Sequence, residues 1–418
     1  MSTVPRASVP RSIRENLTGI WTVQFFGVAL FTLISVTARW PHDYPAVILA
    51  LAGMFFGRER IRFPAPFWWG VALLGWGLIT CVFSISWDVA FKALDIRLKV
   101  LLIFLVLLNA LRSEKQLWVY LLVVLGAFML YPARGTVLNY LHGYVTEGRA
   151  AWNYIYSNPN DDAAMTILVL GAALSVATAA VQSKAVRWGS WACVVILILA
   201  LLFTKSRGGF VGFAIGIGLP LLRRTMKRPG VAFCALLAVC IGLALLPDKL
   251  WSRLEGMQYL TSTSTFREAD KYGSAEQRWQ IQKTAWKIAV DHPLLGVGLG
   301  CYRIANNEYR PDLGYRDAHN TYLRLAAETG FPGLLIWAGL VVSVLRHVKR
   351  GERLKSKLQS LDLRWLRYGL LGFLTAGIFG SFSELSILFL VLAIMWAGTT
   401  LMLEQNAPPA VPRPATVI

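Results

Sequence analysis

The chain has 418 residues, 56% of them hydrophobic and 16% charged, with a mean hydropathy of +0.51 and a formal net charge of +19. Soluble domains carry about 25% charged residues, and runs such as 194–202 and 388–397 lie in apolar stretches long enough to cross a bilayer, so an ordinary soluble domain is excluded. Lys and Arg gather in short loops rather than in a basic stripe interleaved with aromatics, which excludes nucleic acid as their partner and points to the membrane surface.

The expected fold is an all-α polytopic membrane protein with about twelve transmembrane helices. Spans are expected at about 18–38, 44–57, 66–86, 98–111 and 116–132, with an interfacial stretch at 87–97. The first span follows Arg6, Arg11 and Arg14 and lacks a small-residue cleavage site, so it is expected to stay uncleaved. An aromatic-rich outer loop at 133–162 ends in Asn158-Pro159-Asn160-Asp161-Asp162. Spans at about 163–182, 188–204, 210–222 and 230–247 follow. A large, mainly helical outer loop is expected at 248–331, before spans at 332–346, 366–381 and 386–403 and a Pro/Ala-rich tail from 404. The chain thus divides into a first membrane part (1–247), the large loop (248–331), a second membrane part (332–403) and the tail (404–418).

With the N-terminus inside, the loops at 58–62, 112–115, 184–187, 223–228 and 346–367 are all cytoplasmic and all basic. Both termini are then cytoplasmic. The loops at 133–162 and 248–331 and the turn at Arg207 share the outer side. The large loop holds eleven Lys/Arg and ten Asp/Glu, so it is nearly neutral and able to fold. Cys81, Cys193, Cys234 and Cys240 lie in apolar segments and Cys301 stands alone, with no disulfide or metal spacing. No phosphate-binding glycine fingerprint is present, and Gly296, Gly298 and Gly300 read as a turn.

Three outer-side segments can carry chemistry. Arg207 sits between an apolar span and Gly208-Gly209, where an arginine either snorkels or clamps an anion, with Lys205 a weaker second cation. Arg278 follows the capping box of Ser274 and Gln277, near a helix start suited to phosphate, although a solvated role is equally open. Trp279, Ile281, Ala285, Trp286 and Ile288 are expected to lay one face of that helix on the membrane. The stretch 317–333 reads as a short helix with Asp317 as N-cap and Gly330 as C-cap, stopped by Pro332. His319 and Asn320 fall in its first turn, where His319 is either structural or else a general base or a hydrogen-bond donor to an anion. His42, His142, His292 and His347 lack such a context and read as incidental. Asp161 and Asp162 read as a turn and cap more readily than as a metal pair.

Together these segments resemble the O-antigen ligase family, which includes O-antigen polymerases and bacterial protein O-oligosaccharyltransferases. The resemblance rests on His319-Asn320-x-Tyr322-Leu323 with Glu328-x-Gly330 and Gly333, on Ser206-Arg207-Gly208-Gly209, and on Arg278 with Trp279 and Trp286. Asn158-Pro159-Asn160 and His292-Pro293 with Gly296-x-Gly298 also fit. The resemblance implies a GT-C type glycosyltransferase of the bacterial inner membrane. Its donor is a glycan on undecaprenyl diphosphate and its acceptor is lipid A-core, met on the periplasmic side. No cofactor or metal is expected. The residues expected to act are His319, Arg207 and Arg278, with Asn320, Lys205, Tyr322, Asn158, Asn160 and Asp161 binding substrate. A flippase for a lipid-linked sugar is the non-enzyme alternative, and it would place its polar groups nearer the bilayer midplane.

Overall fold

The computed structural model describes residues 21–37, 42–57, 59–146, 148–152, 158–179, 183–226, 274–353, 361–382 and 385–406. Helices dominate the described residues, whose one β-bridge joins Thr146 to Arg149. In chain order the helices are α1 (Val23–Thr37), α2 (Tyr44–Phe55), α3 (Ala65–Val82), α4 (Trp87–Ala110) and α5 (Glu114–Leu141). Then come α6 (Pro159–Ala177), α7 (Lys184–Thr204), and α8 (207–225), which contains a π-turn at Ala214–Gly218. α9 (Ser274–Asp291), α10 (Tyr302–Tyr309), α11 (Thr321–Arg353), α12 (Leu363–Ala376) and α13 (Ser386–Gln405) complete the described set.

Six of these, α3, α5, α6, α7, α11 and α13, are long and apolar enough to cross a membrane. α6 is sheathed almost completely by its neighbours α7, α8 and α12, whereas α3 and α7 leave apolar side chains such as Trp68, Leu78, Trp188 and Val195 exposed. An apolar face that no helix covers is what lipid covers. Close approach of α8 to α12 depends on the absence of side chains. A Cβ on Gly216 would overlap the backbone of Gly372, as expected of small-residue packing between membrane helices.

Several expected boundaries move. The interfacial stretch at 87–97 and the span at 98–111 form one helix, α4, because no Gly or Pro interrupts 87–110. α5 runs past the expected start of the outer loop at 133. Pro132 is absorbed by a π-turn at Met129–Ala133, which takes up the missing donor and lets the helix continue to Leu141. The expected span at 230–247 and the loop residues 248–273 lie outside the described residues, as do Cys234, Cys240 and the tail from 407.

The break in α11 organises the segments packed around it. Gly330 has φ 68 and ψ 176, so the chain leaves the helix there and resumes it with Pro332 in the first new turn. Thus Gly330 interrupts the helix as expected, but Pro332 restarts it instead of ending it. Several backbone groups freed at the break find partners in other segments. Trp76 Nε1 donates to the Thr329 carbonyl at 2.8 Å, and Phe331 N–H donates to Pro293 at 2.8 Å. Gly298 N–H reaches the Glu328 carbonyl at 3.0 Å. Gly296, Gly298 and Gly300 all take positive φ, which makes the tight turn that docks 292–301 against α11.

That docking closes a small second core, distinct from the main core of the bundle. Ile281, Ala285 and Ile288 of α9 pack with Val297, Leu299, Tyr302, Ala318 and Ala327. Trp279 and Trp286 instead stand exposed on the other side of α9. The five apolar residues expected on one face therefore divide between two, because positions 281, 285 and 288 follow one helical stripe and 279 and 286 another.

Candidate functional site

α11 begins at Thr321, not at Asp317. Its N-cap is Asn320, whose side-chain oxygen accepts from Tyr322 N–H at 3.0 Å and Leu323 N–H at 3.1 Å. Asp317 takes the Ala318 N–H at 2.9 Å instead. His319 is therefore just before the helix, with φ 51, and not in its first turn. That conformation is costly for a residue with a Cβ and survives only where the surroundings enforce it. They do so from two sides. Gln282 Nε2 of α9 donates to the His319 carbonyl at 3.3 Å. Thr321 N–H donates to Gly377 at 2.7 Å, and its hydroxyl donates to the Gly380 carbonyl at 2.7 Å.

The electrostatics around His319 are cationic. Burial and then the Arg278 guanidinium push its imidazole down to about 4. Asp317 opposes that shift, while Arg303 and Arg316 add to it. A histidine so placed is neutral at neutral pH, able either to accept a proton or to donate its own N–H.

A second wall of the candidate site is built by the α7–α8 turn. Lys205 has φ 48; it and His319 are the two non-glycine residues with positive φ among the described residues. Ser206 caps α8 through Gly209 N–H at 3.2 Å and donates its hydroxyl hydrogen to Asn160 Oδ1 at 2.8 Å. Arg149 Nη2 donates to the same oxygen at 2.7 Å, and its Nε donates to the Thr204 carbonyl at 3.0 Å. Asn158 caps α6 by accepting from Asn160 N–H at 2.9 Å. This network fixes the turn that ends at Arg207, a half-buried side chain. Lys205 is buried, its ammonium 5.3 Å from the centroid of the Tyr140 ring, which stacks on Phe203.

The two walls share one connector. Gly208 packs against Phe379, and the adjoining Gly380 holds Thr321, so the Arg207 turn and the His319 loop both rest on the α12–α13 connection. Asp161 stands in the first turn of α6, the helix that Asn158 caps. Tyr322 is used differently: its hydroxyl donates to the Leu374 carbonyl at 2.6 Å, which locks α11 to α12. The side-chain oxygens of Asn158, Asn160 and Asn320 are likewise engaged by protein donors.

Sequence reasoning passed over Arg149, Arg303, Arg316 and Arg324. Arg149, Arg303 and Arg316 are lone arginines in loops or a short helix and Arg324 lies in the first turn of α11, and the folded arrangement brings them to His319, Asn160 or Asp317. The Arg316-Asp317 step, separated from His319 by Ala318 alone, was the available signal. Among the described residues no group of three or more His, Cys, Asp or Glu side chains forms a metal cage.

Residues 192–338 match the model of a family described as O-antigen ligase. The matched region contains Arg207, Arg278 and His319 and leaves Asn158, Asn160 and Asp161 outside it. No curated protein matches the chain.

Proposed function

We propose that this chain, a member of the O-antigen ligase family through its residues 192–338, transfers a glycan from undecaprenyl diphosphate to a sugar hydroxyl of lipid A-core. The site would face the periplasm of the bacterial inner membrane, within a twelve-span GT-C type fold whose two termini are cytoplasmic. The observation that carries this reading is the α12–α13 connector that seats both the Arg207 turn and the His319 loop, with the charge of Arg278 acting on His319.

The chemistry follows from the leaving group. A lipid diphosphate departs readily once its negative charge is held, so positioning and electrostatic stabilisation are the main tasks. Arg207 and Arg278 are assigned to the diphosphate, for which planar guanidinium groups are well suited. Lys205 sits behind the Arg207 turn and adds positive charge to that wall. Asn320 and Asp161 line the approach of the sugar. His319 is assigned as the base. As the acceptor oxygen bonds to the anomeric carbon, His319 takes its proton, and the bond from that carbon to the diphosphate oxygen breaks with its electron pair. Attack opposite the departing diphosphate inverts the anomeric configuration.

The base role fixes a pH dependence. Because the imidazole sits near 4 with no donor bound, kcat/KM is expected to stay level from pH 7 to about pH 5 and to fall near pH 4. The bound diphosphate adds negative charge beside the ring and favours the imidazolium. The acid limb of kcat is therefore expected at a higher pH than that of kcat/KM, and coincident limbs would argue against a diphosphate next to His319.

Ligase, polymerase and protein-transferase versions of this reaction share the donor and differ in the acceptor. Membrane extracts from a strain lacking the protein separate them. Loss of long lipopolysaccharide with lipid-linked polymer accumulating is the result expected for a ligase. Lipopolysaccharide carrying a single repeat would identify a polymerase, and intact lipopolysaccharide with under-glycosylated proteins would identify a protein transferase.

A further inference from the structure

The mechanism above leaves unused a line of charge, buried at Glu328 and partly buried along the rest, that runs into the His319 loop. Glu328, on the last turn of α11 before the Gly330 break, is 1% exposed. Its carboxylate accepts from Arg324 Nε at 2.8 Å and has Arg97 of α4 at 3.8 Å. Arg324 in turn lies 3.9 Å from Asp317. Asp317 takes the Ala318 N–H at 2.9 Å, one residue before His319. The signs alternate along the line, from Arg97 through Glu328 and Arg324 to Asp317.

Buried charges are expensive and are kept where each has its partner. This line is anchored at both ends. Glu328 also contributes its backbone carbonyl to Gly298 N–H, so the glycine turn and the carboxylate are set by one residue. At the other end the Asp317 carboxylate engages both a guanidinium and a peptide N–H, which fixes the direction of the chain entering His319. His319 holds a left-handed backbone conformation that its own chemistry disfavours.

We propose that Glu328 and Arg324 are positioning residues for the transfer reaction, holding Asp317 and hence the His319 backbone in the reactive conformation. The proposal rests on His319 being the base. The groups facing that imidazole are Arg278, Asp317, Arg303 and Arg316, and of these Asp317 alone favours its protonated form.

The experiment compares full-length variants in proteoliposomes with lipid-linked donor and lipid acceptor, measuring kcat and KM separately across pH. Glu328→Gln removes the charge and keeps the shape. It is expected to lower kcat at least tenfold with the donor KM within twofold of wild type. Asp317→Asn is expected to lower kcat and to move the acid limb of kcat/KM to lower pH, because the group that raises the proton affinity of His319 is lost. Arg324→Lys is expected to recover part of the kcat that Arg324→Ala loses. Folded Glu328→Gln protein turning over at the wild-type rate would overturn the proposal. If Glu328→Gln does not fold, an unchanged kcat in Arg324→Ala or an unmoved acid limb in Asp317→Asn overturns it instead. Activity retained by His319→Ala would remove the base assignment itself. An inactive His319→Ala beside a fully active Glu328→Gln would remove only the positioning role.

Discussion

Replacing His319 by alanine is expected to lower glycan transfer by about a hundredfold or more, the range that a positioned proton acceptor contributes. Arg278→Ala is expected to cost about a hundred- to a thousandfold, as loss of one preorganised charge at a developing anion does. Arg207→Ala should behave alike, and Arg207→Lys should recover little, because an ammonium cannot reproduce a two-pronged guanidinium contact. The structural cost of His319→Ala is small. The ring makes no hydrogen bond that closes a helix, since Asn320 performs the capping and Thr321 the anchoring. Thermal unfolding close to wild type, combined with lost transfer, is therefore the expected pair of results. Transfer within threefold of wild type in well-folded His319→Ala would remove the histidine from the reaction.

Gly330→Ala is expected to be the most damaging single-methyl change. The position needs φ 68, and an added Cβ would overlap the carbonyl oxygen of Leu294 while lying 2.8 Å from that of Pro293. Backbone atoms cannot swing aside as a flexible side chain can. The expected loss is about 3 kcal/mol or more, combining left-handed strain with steric overlap. Gly314→Ala is the internal comparison. Gly314 has φ 69, but nothing lies within 4 Å of its Cβ position, so only the conformational penalty of about 1–2 kcal/mol applies. Unfolding of both variants in detergent tests this. Equal losses would mean that the docking of 292–301 on the break contributes no stability.

How far a sequence can be read depends on whether a feature is local. The break at Gly330 was legible because a glycine two residues before a proline disrupts any helix. The direction of the chain beyond it was not. A proline ends one helix and starts another with the same fixed φ, and only the packing of Trp76 and Pro293 decides that α11 resumes. The cap at 317 was misread for a similar reason. Asp317 and Asn320 are equally good caps, and the choice falls to Asn320 because Gly377 and Gly380 pin Thr321 from outside the segment. Helicity and the long apolar spans were legible from composition alone. The two-faced α9 was not, because its apolar residues give no sign of which stripe meets the second core.

The site shows the same division. His319, Arg207 and Arg278 stand out locally through cap signals, glycines and a membrane edge. Their shared connector at Phe379 and Gly380 follows from the packing of α8 on α12, which no motif records. Arg149 and Arg324 are invisible in sequence, since a lone arginine has meaning only beside Asn160 or Asp317.

The most direct test is transfer by the purified full-length protein in proteoliposomes, given a defined undecaprenyl diphosphate-linked glycan and lipid A-core. The quantities to follow are lipid diphosphate released and the anomeric configuration of the new linkage. One lipid diphosphate per glycan transferred, with inverted configuration and loss of both in Arg278→Ala, is the predicted result. A retained configuration, or undiminished turnover in folded Arg278→Ala protein, would contradict direct displacement at this site.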